Sequence, residues 1–361
     1  MVAAEKIRIR FNKLLSNGSF QFVFWELTLL FYVFITGENN IFRTYSNMVD
    51  AQSVYLVITY ISLFTSLLFS FIDFIFTDRI MRFFPIRLMV LLKSSLYFIS
   101  GFLIIIVAAI PSINIFSTHS YNELIIELPA TNIHLFRFLS YYYVSCFLNS
   151  LLKGTLTKIG RGNFNNWFFG MLNKPREEER IFMFIDLKSS TTIAEKLLHK
   201  KFSHLIQDVF NDMAVVDNYG GEIYNYIGDG AIISWTLKKG LKRGNFIKAF
   251  YAFAHVLNKR KRYYQRKYKL EPKFKAGVHV GKVMVLQVGQ IKRDISYNGD
   301  TMNTAARIES KCNEFKQNLL ISGDLYDLID DKKAFRYKNV GNIQLRGKKR
   351  GVDIYAVKQK A

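Results

Sequence analysis

Four apolar stretches fill the first 152 residues, at about 20–36, 53–77, 88–110 and 131–152. Each is close to the roughly 20 residues that a helix needs to cross the hydrocarbon of a bilayer. Much of the chain's aromatic content, 33 Phe and 20 Tyr overall, is concentrated here. The expectation is an all-α four-helix transmembrane domain over 1–152. The connecting loops set its orientation. Loop 78–87 carries Arg79, Arg82 and Arg87, whereas 111–130 has no Lys or Arg and 37–52 has only Arg43. Positive loops stay on the cytoplasmic side, which puts both termini inside and makes this a multi-pass protein of the plasma (inner) membrane. No small-residue cleavage pattern follows the first stretch, so it reads as an anchor rather than a cleaved signal.

Glu26, Asp73 and Lys93 interrupt these stretches at comparable depth near the cytoplasmic side. Two readings stand: snorkelling or an interhelical pair of Lys93 with Glu26 or Asp73, and a sensing cluster. Residues 153–180 form a juxtamembrane linker. Its Lys153, Lys158 and Arg161 lie beside the inner leaflet, its glycines punctuate it, and Pro175 closes it.

The second half differs in kind. The formal charge of +22 comes mostly from residue 153 onward, where 40 Lys and Arg face 20 Asp and Glu. Two cysteines, Cys146 and Cys312, exclude a disulfide framework, and six histidines without ligand spacing exclude zinc chemistry. From 181 to 361 the pattern alternates: strand 181–186, helix 190–218, hairpin 222–235, helix 243–268, strands 273–280 and 282–289, a helix around Asn303, and strands at 318–322 and 335–358. Mixed order with tight hairpins predicts an α+β domain. The basic, aromatic run Lys259–Lys269 ends the second long helix. It reads as a solvated or lipid-facing helix end, not a nucleic-acid surface.

Ile181-Phe-Met-Phe-Ile-Asp-Leu-Lys-Ser-Ser-Thr-Thr192 carries the chemistry. An apolar strand delivers one carboxylate, Asp186, to the hydroxyl-rich start of a helix, Ser189, Ser190 and Thr191. Free N–H groups there suit phosphate oxygens, and the carboxylate can hold a divalent cation against them. A partner carboxylate is needed. Asp229 supplies it from Glu222-Ile-Tyr-Asn-Tyr-Ile-Gly-Asp-Gly230, whose Gly-Asp-Gly turn predicts a hairpin tip. Asn303 and Arg307, four residues apart, share one helix face.

Phe184-Ile-Asp-Leu-Lys-Ser-Ser-Thr191, Ile227-Gly-Asp-Gly230 and Asn298-Gly-Asp-Thr-Met-Asn-Thr-Ala-Ala-Arg307 together resemble the motifs of class III nucleotide cyclases, in family order and spacing. Ser189 and Ser190 replace the family's Gly-Phe. The resemblance implies a ferredoxin-like core with one sheet and helices on one face. It implies cyclisation of ATP, with GTP as the alternative, to a 3′,5′-cyclic nucleotide and pyrophosphate. Asp186 and Asp229 would hold two Mg²⁺ or Mn²⁺ per active site, Asn303 would orient the ribose, and Arg307 would stabilise the phosphate. Leu345-Arg-Gly-Lys348 is similar to the family's basic turn, making Arg346 and Lys348 phosphate-binding candidates. In the family the carboxylates and the Asn/Arg pair of one site come from different chains, implying a homodimer. Counting back from Asp229 and Asn303 gives Asn225 and Ser296 at the base-binding positions. Neither is the Glu of guanylyl cyclases, which implies ATP. A silent cyclase-like domain signalling through its membrane half is the alternative of another class; four intact motif residues oppose it. No Gly-Gly-Asp/Glu-Glu-Phe turn of a diguanylate cyclase is present.

Overall fold

The computed structural model describes residues 2–36, 51–75, 85–116, 132–159, 174–290, 294–344 and 351–360. They form two units that divide between Ile159 and Gly160.

The first unit is four helices: α1 Val2–Thr36, α2 Ala51–Ile75, α3 Ile86–Phe116 and α4 Asn132–Ile159. Asn17–Thr36, Tyr55–Ile75 and Arg87–Ile104 are long and apolar enough to cross a membrane. By length and composition, three of the four expected spans are thus found among the described residues. The fourth stretch is rich in Tyr, Ser and Asn, and α4 also carries Arg137, Lys153 and Lys158. It nevertheless joins the same core, where Tyr142 and Cys146 pack with Trp25, Phe69 and Tyr97. The ring of Trp25 lies 5.3 Å from Phe69 and 5.2 Å from Tyr142.

Polarity in this unit is inverted relative to a water-soluble bundle. Gln21, Ser62, Thr65, Ser70, Ser94 and Asn149 are buried, while Leu27, Phe31, Phe34, Leu67, Phe71 and Leu103 lie outside. Lys93 is buried too, and its partner is Asp73 at 3.1 Å. Glu26 is not that partner; it accepts a hydrogen bond from Thr59 instead, at 3.0 Å. Within the expected linker 153–180, α4 continues through Lys153 to Ile159 and the next strand opens at Arg176.

The second unit is an eight-stranded sheet. In chain order its elements are β1 Arg176–Leu187, α5 Ser190–Met213, β2 Glu222–Ile227, β3 Gly230–Thr236, α6 Leu237–Leu241, α7 Asn245–Lys259, α8 Lys261–Tyr268, β4 Phe274–Val288, β5 Asp294–Asn298, α9 Asp300–Ser310, β6 Leu319–Ser322, α10 Gly323–Asp327, β7 Phe335–Ile343 and β8 Val352–Gln359. The strand order is β2-β3-β1-β4-β6-β8-β7, with β5 on the far part of β4. Among the described residues only the β4–β6 pair is parallel.

Strand alternation sorts the residues into two faces. Ile181, Met183, Ile185 and Leu187 of β1 join Ala276, Val278 and Val280 of β4 in the main core, with Leu205, Val209, Phe250 and Phe253 of the helices. Phe182 and Val283 point the other way, where Tyr297 of β5 and Ala305 of α9 cover them. Helices thus lie on both faces, not on one as expected. α9 can approach the second face because Gly277 and Gly281 of β4 carry no side chain there. A Cβ on Gly277 would stand 2.1 Å from Glu309 N, and one on Gly281 would stand 2.6 Å from Thr301 Oγ1. Sequence reading takes Gly281 as a break between two strands; it is the interior of one 15-residue strand and a seat for α9.

The expected helix 243–268 divides at Arg260 into α7 and α8. The basic run is only partly solvated. Arg260 pairs with Asp212, Lys267 meets Asp208 at 2.9 Å, and Tyr264 donates to Asp212 at 2.7 Å, tying α8 to α5.

Candidate active site

Asp186 is the next-to-last residue of β1 and lies on the α9 face of the sheet, with Lys275 as its register partner on β4. The hairpin β2–β3 closes through Gly228 and Asp229, with Gly228 at φ +57, where a side chain is disfavoured. Gly230 then lies against Asp186. A Cβ there would stand 2.6 Å from Ile185 O and 3.2 Å from Asp186 Oδ1. The absence of that atom brings the hairpin tip, and Asp229 with it, up to the end of β1. Asp229 Oδ2 is buried there without a hydrogen-bond partner.

Two residues that sequence reading missed complete the pocket. Lys275 Nζ lies 3.4 Å from Asp186 Oδ2 and 2.7 Å from Glu309 Oε1, and it is nearly inaccessible to solvent. A lysine inside the apolar run Phe274–Val280 was the available signal, since a buried ammonium group requires a carboxylate. Burial pushes the Asp186 carboxyl up to about 6, with the charges of Asp229 and Glu309 acting the same way and Lys275 opposing them. The site thus holds more negative charge than Lys275 neutralises, which is the electrostatic condition for binding cations. Among the described residues no three of His, Cys, Asp or Glu converge as ligands, so the chain offers two carboxylates plus further oxygen donors.

Asn303 and Arg307 stand one turn apart on α9. The buried side of that helix is Thr301, Thr304, Ala305 and Ile308; Asn303 is exposed and Arg307 half-buried. Neither makes an ion pair or a side-chain hydrogen bond among the described residues. No hydrogen bond or ion pair joins either of them to Asp186 or Asp229 among the described residues.

Ser189 caps α5 in a left-handed conformation at φ +55, at the position where the cyclase motif has Gly. A serine there costs about 1 kcal/mol relative to glycine. Ser190 and Thr191 form the first turn of α5, with Ser190 half-buried and Thr191 exposed. Arg346 and Lys348 lie outside the described residues.

A bulge at Tyr224 shifts the β2 register, pairing Ile223 with Ile233 but Asn225 with Ile232. That shift turns Asn225 onto the same face as Asp186. Ser296 pairs with Leu286, and its hydroxyl donates to Asn298 Oδ1 at 3.0 Å. The two base-binding candidates do not meet. Their neighbours do, since the rings of Tyr224 and Tyr297 are edge to face at 4.9 Å.

Residues 172–359, just over half the chain, match the family described as "Adenylate and Guanylate cyclase catalytic domain". The chain belongs to this cyclase family. Among curated relatives, Adenylate cyclase 2 of Rhizobium meliloti (strain 1021) is 31% identical over 191 residues, 53% of each chain. Adenylate cyclase 1 of the same organism is 28% identical over 50% of this chain and 27% of its own length. The cyclase chain thus spans about half or less of the curated relatives it matches. A solved structure of a bacterial light-regulated adenylyl cyclase shares the fold, with a TM-score of 0.51 at 21% identity over 60% of this chain and 65% of that one.

Proposed function

We propose that the protein is a membrane-anchored adenylyl cyclase that converts ATP to 3′,5′-cyclic AMP and pyrophosphate. The observation that carries this reading is the Asp186–Asp229 pair at one sheet end, with Asp186 half-buried and raised to about 6 and Asp229 Oδ2 buried beside it. Mg²⁺ or Mn²⁺ is the group that such a pair fits, and two such ions per site would lower the pKa of the 3′-hydroxyl and neutralise charge on the phosphorus.

The chain's own residues then have defined tasks. Asp186 and Asp229 hold the cations. Lys275, already countered by Glu309, keeps one positive charge beside Asp186 for the phosphates. Backbone N–H groups at Ser189–Thr191 receive phosphate oxygens at the start of α5. The planar donor fork of Arg307 suits the charge that builds up in the transition state, and Asn303 orients the ribose. These two reach a nucleotide from a second copy of the chain, so the working form is a homodimer with two sites. The inside-out polarity of the helical unit supports a lipid bilayer as its surroundings.

Metal binding should release a proton. With Asp186 at about 6, the acid form is substantial below that pH and a bound cation displaces its proton, whereas at pH 8 there is none to displace. Titration calorimetry with Mn²⁺ in buffers of different ionisation enthalpy should therefore report proton release at pH 5.5 and almost none at pH 8. A pH-independent result rules out Asp186 as the ligand.

Base choice tests the substrate. Asn225 and Ser296 both donate and accept hydrogen bonds, and neither supplies the carboxylate that would grip guanine N1 and N2. Purified protein with Mn²⁺ should prefer ATP over GTP by about ten-fold, the worth of one hydrogen bond. Asn225→Lys should sharpen that preference, and Asn225→Glu with Ser296→Cys should move it toward GTP. A wild-type preference for GTP would make this a guanylyl cyclase.

A further inference from the structure

Arg180 is a charged side chain in an apolar place. It lies on β1 six residues before Asp186, so strand alternation puts it on the same face, in line with Phe182 and Phe184. Only 3% of it is exposed. Its Nη1 donates to Glu178 Oε2 at 3.0 Å. Its Nη2 donates to Glu222 Oε2 on β2 at 2.7 Å and to Ser234 Oγ on β3 at 3.0 Å. The guanidinium carbon stands 5.0 Å from the ring centre of Tyr297 on β5. That ring in turn meets Phe182 at 5.4 Å and Tyr224 of β2 at 4.9 Å, both edge to face. One side chain therefore joins four strands.

What Arg180 supplies is direction rather than stability. Apolar residues of similar size commonly match a buried ion pair in stability, and a long apolar side chain here would extend the face that Phe182 begins. A planar fork, in contrast, fixes several partners at set angles at once. Those partners matter for their neighbours. Tyr224 is the bulge residue of β2, where the register moves from Ile223–Ile233 to Asn225–Ile232. Asn225 follows Tyr224 directly, and Ser296 precedes Tyr297 directly. Glu222 anchors the bulge from one side, and the Tyr297 ring supports it from the other.

We propose that Arg180 is a positioning residue for base recognition: by tying Glu222 to the Tyr297–Tyr224 pair, it holds the β2 bulge against β5 and so sets where Asn225 and Ser296 meet a purine base. The inference rests on the reading of those two residues as the base contacts, and Arg180 acts only through its neighbours.

The test is titration of the full-length chain, with Mn²⁺, by 3′-deoxy-ATP and 3′-deoxy-GTP. Both lack the hydroxyl that cyclisation needs and so report binding alone. Wild type should favour the adenine analogue by about ten-fold. Arg180→Met removes the fork but leaves Glu178 and Glu222 with access to water, at side-chain exposures of 19% and 32%, so it should fold. It should weaken the adenine analogue about ten-fold, the guanine analogue by no more than about three-fold, and Mn²⁺ binding hardly at all. Glu222→Gln, which keeps the shape and weakens one arm, should level the choice of base to a smaller extent. Should Arg180→Met not fold, Glu222→Gln decides by the same criterion. Arg180→Met with Tyr297→Leu should be no worse than the more affected single change, since both break one chain of contacts. An adenine preference that survives in Arg180→Met, equal weakening of both analogues, or additive losses in the double variant overturns the proposal. A wild type that binds the two analogues alike overturns it together with the base assignment. A wild type that prefers guanine refutes the adenylyl reading alone, provided Arg180→Met levels that preference too. A wild type that binds nucleotide but makes no cyclic product refutes the catalytic reading, and the binding comparison still decides the role of Arg180.

Discussion

Asp186→Ala and Arg307→Ala, each inactive alone, should recover about a quarter of wild-type activity when mixed as subunits. Each single change should lower the rate on the order of 10³-fold, by removing a cation ligand in one case and transition-state charge stabilisation in the other. Recovery follows from how the chain distributes its residues. Asp186, Asp229, Lys275 and Glu309 gather at one sheet end, whereas Asn303 and Arg307 stand on α9 with no side-chain partner among the described residues. An arginine in that condition is available to another chain. Exposed apolar side chains on the same strands, Tyr226 and Ile227 on β2 and Met284 and Val288 on β4, fit a surface that a second copy covers. In a dimer carrying one change per chain, one of the two sites combines both losses and the other is whole. Equal mixing makes about half the dimers mixed, hence the quarter. No recovery in mixed dimers verified by pull-down would mean that the aspartates and Arg307 act within one chain.

What the sequence made legible here was local and what it hid was parity and depth. The Asp186 strand, the Gly-Asp turn and the Asn303 helix are each written within about ten contiguous residues, so strand alternation and turn chemistry suffice to find them. Asn225 is different. Its face depends on a bulge one residue earlier, and a one-residue slip moves a side chain to the other side of a sheet without leaving a trace in composition. Lys275 and Glu309 are 34 positions apart and become partners only through the seating of α9 on β4. Lys153 looked like one of several linker cations, because nothing local reveals that α4 continues past it to place it against Asp73. Conversely, the division of the basic run is legible afterwards: the residues that bond to α5, Arg260, Tyr264 and Lys267, recur at i, i+4 and i+7, one helix face, which the dense charge obscured.

Gly277→Ala should be among the most damaging substitutions in the cyclase unit, although the residue touches no substrate. The added carbon would stand 2.1 Å from Glu309 N and 2.6 Å from both Ala305 O and Glu309 Cα. All three are backbone atoms of α9, so no rotamer change relieves the clash and the helix must lift. Lifting it uncovers Ala305 and Ile308 and stretches the Lys275–Glu309 pair. The expected cost is about 3 kcal/mol of stability. A displacement of about 1 Å at Arg307 would also lower activity about a hundred-fold. Gly281→Ala, four residues along the same strand, should differ in kind. There the obstruction is a side chain, Thr301 Oγ1 at 2.6 Å and Cγ2 at 3.2 Å, with Thr301 Cβ at a tolerable 3.4 Å. Thr301→Ala removes the two offending atoms and forfeits only the hydrogen bond to Lys282 O, worth about 1 kcal/mol. Gly281→Ala with Thr301→Ala should therefore regain most of the melting temperature and rate lost by Gly281→Ala alone. Gly277→Ala with Ala305→Gly should regain nothing, since the clash there is with main chain. Thermal unfolding and cyclase rates of these four variants test this account, and a well-tolerated Gly277→Ala would show that α9 does not rest on β4 at that point.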